Sequence, residues 1–232
     1  MSEASRKCPG RLIVLEGSDG SGKATQSRRL LARLRREGHP AERIAFPGYH
    51  RSFFGGMVGE YLRGEFGTSA AVAPRLAALL YAGDRWEAAA RVREWLAAGK
   101  VVVCDRYVDS NKAHQAARMP AEARPAFLAW VDKLEFGVFR VPKPDYTIFL
   151  HVPHRFADAL IAKKGRRAYL RGKARDLHEA DLHHLASAEQ VYLQLAAKRK
   201  SRGAMIECIR DGELLSREEI AEMVWGKVRR RL

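Results

Sequence analysis

A short apolar run, RLIVLE (11–16), passes directly into Gly17-Ser18-Asp19-Gly20-Ser21-Gly22-Lys23, and a helical pattern begins immediately behind it. No other feature limits the fold of this chain so strongly. G-x-x-x-x-G-K spacing between a buried strand and a helix lets backbone N–H groups converge on phosphate oxygens, with the lysine reaching the outer ones. Glycines are needed because the chain turns sharply and must approach the phosphate closely. The loop therefore points to a phosphorylated ligand. Its metal side departs from the pattern. Where Ser or Thr normally offers a hydroxyl to Mg²⁺ stands Ala24, and Thr25 is displaced by about 100° around the helix.

Strand-like and helical segments alternate over the rest of the chain. ERIAF (42–46), VVVCD (101–105), TIFLHV (147–152) and AMIECI (204–209) read as further strands. The first helix presents Leu30, Leu31 and Leu34 on one face and stops at Gly38 and Pro40. Met57, Val58, Tyr61 and Leu62 mark a short amphipathic helix, and residues 70–98 predict two helices meeting near Gly83. Glu179 to Lys198 reads as a helix, and Ser216 with Glu219 forms a capping-box pattern opening the last one, 216–232. This alternation predicts an α/β fold of three layers, a five-stranded parallel sheet covered on both faces. With no repeat and no linker, residues 1–232 are expected to form one domain, with a basic insertion at 163–178.

Composition excludes several classes. At 232 residues, 47% hydrophobic and 30% charged, the chain is long and apolar enough for a core, not a disordered tail. No apolar run of membrane-spanning length occurs, and MSEASRKCPG lacks an apolar core of signal-peptide length, so a cytoplasmic protein is expected. Three cysteines rule out a disulfide framework; Cys104 and Cys208 lie in apolar runs and are expected in the core. The net charge of +15 favours polyanions: nucleic acid, an acidic membrane surface or phosphorylated small molecules. A basic surface kept for solubility fits equally well.

LEGSDGSGKATQ (15–26), FPGY (46–49), YAGDRWE (81–87), DRYVDSNKAHQ (105–115) and KPDYTIFL (143–150) occur in that order. Together they resemble the thymidylate kinase family of P-loop nucleoside monophosphate kinases, which pass the ATP γ-phosphate to dTMP; the likeness runs from about 11 to 230. The resemblance implies that Gly17, Ser18, Asp19, Gly20, Ser21, Gly22, Lys23, Ala24 and Thr25 bind ATP. Asp19 would also face the acceptor's 3′-hydroxyl and the water shell of a magnesium ion. Phe46 and Tyr49 would border the acceptor phosphate, and Arg106 would clamp it, as a guanidinium can do bidentately. Asp105 would hold Mg²⁺ directly or through water. Tyr81 would stack on thymine, Arg85 donate to its O4 and Asn111 pair with its edge, with Ser110, His114 and Gln115 completing the acceptor side. Taken singly, Tyr81 fits a helix core, and Arg85 and Arg106 fit ion pairs; the shared order is what favours the site.

Three positions depart from the family pattern. Gly48 stands where many relatives have Arg, so Arg51 is expected to assist with the phosphate. His114 replaces a Tyr that crowds the sugar 2′ position, and His151 replaces an acid. His178, His183 and His184 have no matching acid or cysteine set and are expected to be solvated.

The segment 163–175, KKGRRAYLRGKAR, falls where the family's lid closes over ATP. The loop at 17–23 contains no arginine, so the cation opposing charge on the migrating phosphoryl group is expected from Arg167, Arg171 or Arg175, the bacterial arrangement of the family. A homodimer is expected, with no membrane and no nucleic-acid partner. Two rivals stand: a related kinase acting on dUMP or a ribonucleotide, motivated by His114, and a low-turnover nucleotide- or nucleic-acid-binding protein, motivated by the charge and Ala24.

Overall fold

Strand β1 (Arg11–Glu16) lies at the centre of a parallel five-stranded sheet. β3 (Val101–Asp105) and β4 (Tyr146–His151) flank it, with β2 (Ala41–Ala45) outside β3 and β5 (Gly203–Glu207) outside β4. The structure is a computed structural model and describes residues 10–156, 160, 168–170, 176–177 and 181–232. Burial on both faces explains the unbroken apolar strands. Leu12 and Val14 face one hydrophobic cluster while Ile13 and Leu15 face the other. Cys104 and Cys208 fall in these clusters, and burial pushes the Cys208 thiol up to about 12.

Helices α1 (Lys23–Arg36) and α7 (Arg217–Val228) cover the second face through Leu30, Leu34, Ile220 and Val224. The first is covered by α3 (Pro74–Ala97), α4 (Val108–Ala116), α5 (Arg124–Asp132) and α6 (Leu182–Lys198). α2 (Phe53–Arg63) packs on α3, burying Val58, Tyr61 and Leu62. Since β1 pairs with β3 on one side and β4 on the other, the connections diverge at its C-terminal end. A cleft opens there, as expected at such a switch point.

Several element boundaries differ from expectation, three of them for physical reasons the structure shows. Residues 74–97 form one continuous helix, not two meeting at Gly83. A Cβ on Gly83 would lie 2.5 Å from the Phe54 ring, so this glycine permits close α2–α3 packing and introduces no hinge. The last long strand ends at Glu207; Ile209–Arg210 instead pairs with Glu213–Leu214 in a hairpin. Asp211 and Gly212 turn that hairpin with φ of 52° and 81°, the left-handed pair such a turn requires. The helix expected from Glu179 begins at Leu182, where Asp181 caps it by accepting from the His184 N–H at 3.1 Å. The Ser216–Glu219 capping box is present. Among the described residues no helix is long and apolar enough to cross a membrane.

Candidate active site

The cleft has a volume of about 970 Å³, and Asp19 through Thr25 form one wall. Gly17 and Ser18 anchor this loop to the end of β4 and do not face the cleft. A Cβ at Gly17, whose φ is 139°, would come within 2.2 Å of the Leu150 carbonyl oxygen. Ser18 Oγ donates to the Val152 carbonyl at 3.1 Å. Lys23 is buried and folded back, its Nζ donating to the Gly17 and Ser18 carbonyls at 2.8 and 2.6 Å. Ala24 is exposed and Thr25 half-buried; both line the cleft.

The turn after β3 supplies the opposite wall. Arg106 adopts a left-handed φ of 64°, and its Nη2 donates to Asp19 Oδ1 at 2.6 Å. Its Nη1 donates to Ser110 Oγ at 3.2 Å and lies 3.4 Å from His114 Nε2. Glu16, fully buried at the end of β1, fixes this turn. It accepts from the Tyr107 and Ser110 amides at 2.8 and 3.1 Å and from Ser110 Oγ at 2.6 Å. Burial, reinforced by the nearby Asp109 charge, raises its pKa. Asp105 is engaged from β2, where Arg43 Nη2 donates to its Oδ2 at 2.7 Å.

Acceptor-side residues predicted from sequence converge on the same cleft: Phe46, Tyr49, Tyr81, Arg85, Ser110, Asn111, His114 and Gln115. Arg85 is almost completely buried and chelated by Glu135 of a π-helical turn (Lys133–Val138), with Nε 2.9 Å from Oε2 and Nη2 on Oε1. Asn111 Nδ2 donates to the Ala78 carbonyl and to Glu135 Oε1, each at 3.0 Å. Gln115 Oε1 accepts from Arg118 Nη1 at 2.6 Å. Tyr49 stacks on Tyr169 with ring centroids 3.8 Å apart and planes 8° from parallel. Tyr169 OH donates to Asp176 Oδ2 at 3.0 Å, and both residues line the cleft.

Some expectations are corrected. Arg51 does not line the cleft; its Nη2 donates to the Ala45 carbonyl, and Arg43 is the arginine that enters in its neighbourhood. His184 is not solvated. It is buried with Nε2 3.2 Å from His114 Nδ1, and burial lowers its pKa to about 4. The same cause holds His114 well below the usual imidazole range. His183 is exposed, as expected. His151 bridges two strands and α6, 2.9 Å from Glu189 and 2.5 Å from Glu207, which outweighs its burial and raises its pKa. His178, Arg166, Arg167, Arg171 and Arg175 lie outside the described residues.

Arg43, Glu16, Glu135, Tyr169 and Asp176 were not singled out by sequence. Glu16 alone left a signal, an acid closing an otherwise apolar strand. Among the described residues no cluster of three or more His, Cys, Asp or Glu can cage a metal. Mg²⁺ keeps its waters and takes one or two carboxylates together with substrate phosphates. Asp19 and Asp105 both line the cleft and have the donor chemistry such an ion would use.

A parallel sheet bearing a phosphate-cradling loop at its switch point, facing an arginine turn across one cleft, defines a P-loop nucleotide kinase. A solved thymidylate kinase structure from Candida albicans shares the fold, with a TM-score of 0.75 and 22% identity over 96% of this chain and 92% of that one. The thymidylate kinase family model matches residues 15–217. The thymidylate kinase of Mycobacterium tuberculosis is 36% identical over 187 residues, 81% of this chain and 86% of that protein. The Homo sapiens enzyme is 33% identical over 204 residues, 87% and 88% of the two chains. This chain belongs to the thymidylate kinase family, enzymes that transfer the γ-phosphoryl group of ATP to dTMP.

Proposed function

We propose that the chain acts as a single kinase unit, with 163–178 as its lid, and catalyses direct in-line transfer from ATP to dTMP. An oxygen of the dTMP phosphate forms the new bond to the γ-phosphorus while the bond to the bridging β,γ-oxygen breaks, leaving ADP. The observation that carries this reading is the 2.6 Å contact between Asp19, on the donor loop, and Arg106, on the acceptor wall. It joins the 19–25 loop to the arginine turn across one cleft, which supports the reading, since positioning accounts for much of such a barrier.

In this reading Lys23 and the backbone of residues 19–24 bind the ATP phosphates, and Arg106 clamps the acceptor phosphate beside Phe46 and Tyr49. Tyr81 stacks on the base, with Arg85 and Asn111 on its edge. Mg²⁺, when bound, neutralises developing charge on the phosphates. Asp105 and Asp19 would hold it, directly or through water. Arg167, Arg171 or Arg175 would complete the charge on lid closure. We place the reaction in the cytoplasm. Leu76, Leu79 and Trp86 form an exposed apolar stripe on α3, and this supports a homodimer joined there.

ADP release across a panel of nucleoside monophosphates tests the assignment. The expected result is the highest kcat/KM for dTMP; AMP or GMP outrunning it rejects the reading.

A further inference from the structure

Glu135 lies beside the acceptor side of the cleft with no exposed surface. Its Oε2 accepts from Arg85 Nε at 2.9 Å; its Oε1 accepts from Arg85 Nη2 and, at 3.0 Å, from Asn111 Nδ2. The second Asn111 donor goes to the Ala78 carbonyl at 3.0 Å. Both neighbours of that nitrogen are pure acceptors, so the amide cannot turn over without setting its oxygen against a carboxylate and a carbonyl. Asn111 Oδ1 is buried and has no hydrogen-bond partner among the described residues. Asn111 and Arg85 both line the cleft. With Nδ2 fully engaged, Asn111 has only an acceptor to offer a base. With Nε and Nη2 held, Arg85 has the Nη1 donors to offer.

We propose that Glu135 is the positioning residue that makes the acceptor site distinguish one pyrimidine edge from another. It locks Asn111 as an acceptor and Arg85 as a donor. This rests on reading the cleft as a dTMP site. Thymine and uracil present an N–H at N3 and a carbonyl at C4, complementary to that pair. Cytosine presents a bare N3 and an amino group, and so opposes the pair at both positions. A buried polar group left unmatched is what rejects such an analogue.

The test measures kcat/KM for dTMP, dUMP and dCMP in the wild type and in Glu135→Gln, with Tm and the KM for ATP alongside. dUMP and dCMP both lack the 5-methyl group and differ only along the edge in question. The wild type is expected to prefer dUMP over dCMP on the order of 10⁴-fold. In Glu135→Gln the new amide can donate toward Asn111 and release its lock. The ratio should contract by about tenfold or more, chiefly through the acceptor KM, with the KM for ATP unmoved. A merely structural role lowers all three acceptors together and preserves the ratio, and that result overturns the proposal. So does a wild type indifferent to dUMP and dCMP. Should Glu135→Gln fail to fold, Glu135→Asp replaces it: one methylene shorter, its carboxylate keeps the charge facing Arg85 but not the reach to Asn111, and the same ratio decides. A wild type inactive on dTMP rejects the kinase assignment itself and is recognised separately.

Discussion

Arg43, on the edge strand β2, donates through Nη2 to Asp105 Oδ2 at 2.7 Å, while its Nε donates to Ser27 Oγ at the same distance. The acid expected to serve Mg²⁺ thus already faces a cation on the neighbouring strand. Ala24 offers no hydroxyl, and at Asp105 the proposed Mg²⁺ would compete with Arg43 for the carboxylate.

Asp105→Asn should raise the Mg²⁺ concentration giving half-maximal rate by about 10–100-fold, the usual cost of losing an outer carboxylate at a metal site. Arg43→Ala should move it in the opposite direction, and Ala24→Ser should lower it or leave it unchanged. Mg²⁺ titrations of initial rate at fixed ATP check all three. An Asp105→Asn enzyme with an unaltered requirement removes Asp105 from the metal's surroundings.

Arg85→Ala should cost stability before it costs affinity. Removing one partner of a fully buried ion pair leaves Glu135 uncompensated, a loss of about 3–5 kcal/mol. Denaturant unfolding reads this directly. A variant as stable as the wild type shows that Glu135 is relieved by another group.

Gly83→Ala should destabilise by about 1–3 kcal/mol, because the added methyl meets the Phe54 ring at 2.5 Å and forces α2 from α3. Combining it with Phe54→Leu should recover part of the loss. Thermal melts of the single and double variants decide whether this glycine serves packing.

Acid should weaken the fold through His184. Its pKa falls from 6.5 in the unfolded chain to about 4 when buried, so between these values the unfolded chain binds the proton first. The stabilising contribution is present above pH 6.5 and is lost as pH falls toward 4. His114 acts in the same direction. His151, raised by Glu189 and Glu207, acts in the opposite sense, stabilising below pH 6.5 and losing its contribution as pH rises through its raised value. Stability measured from pH 7 to 4.5 should decline less steeply in His184→Gln than in the wild type. Parallel curves disprove the assignment.

If residues 163–178 act as the proposed lid, alanine scanning of Arg166, Arg167, Arg171 and Arg175 should depress kcat more than it raises the KM for ATP, since contacts made on closure act on the transition state. The decisive arginine is expected to be worth up to about 10³–10⁵ in rate, less if a neighbour replaces it. Single-turnover kinetics separate chemistry from lid opening. Near-wild-type chemistry in the quadruple variant leaves the segment a solvated basic loop.

The sequence by itself determined the strands, the phosphate loop and most cleft-lining residues. Each rests on local chemistry: five apolar runs at parallel-sheet spacing, glycines where the backbone must bend, and motifs whose order along the chain repeats a family's. Capping residues such as Ser216 and Glu219 are legible for the same reason, since their partners lie three residues away. Only the tertiary structure decided what each charge faces. Arg43 and Asp105 are 62 residues apart, Arg85 and Glu135 are 50 apart, and His114 and His184 are 70 apart. Whether such a group is solvated, paired or held neutral depends on which element packs over it, and periodicity carries no such information. The same holds for Gly83, which looks like a hinge in sequence and is a contact surface in space, because Phe54 approaches it from another helix.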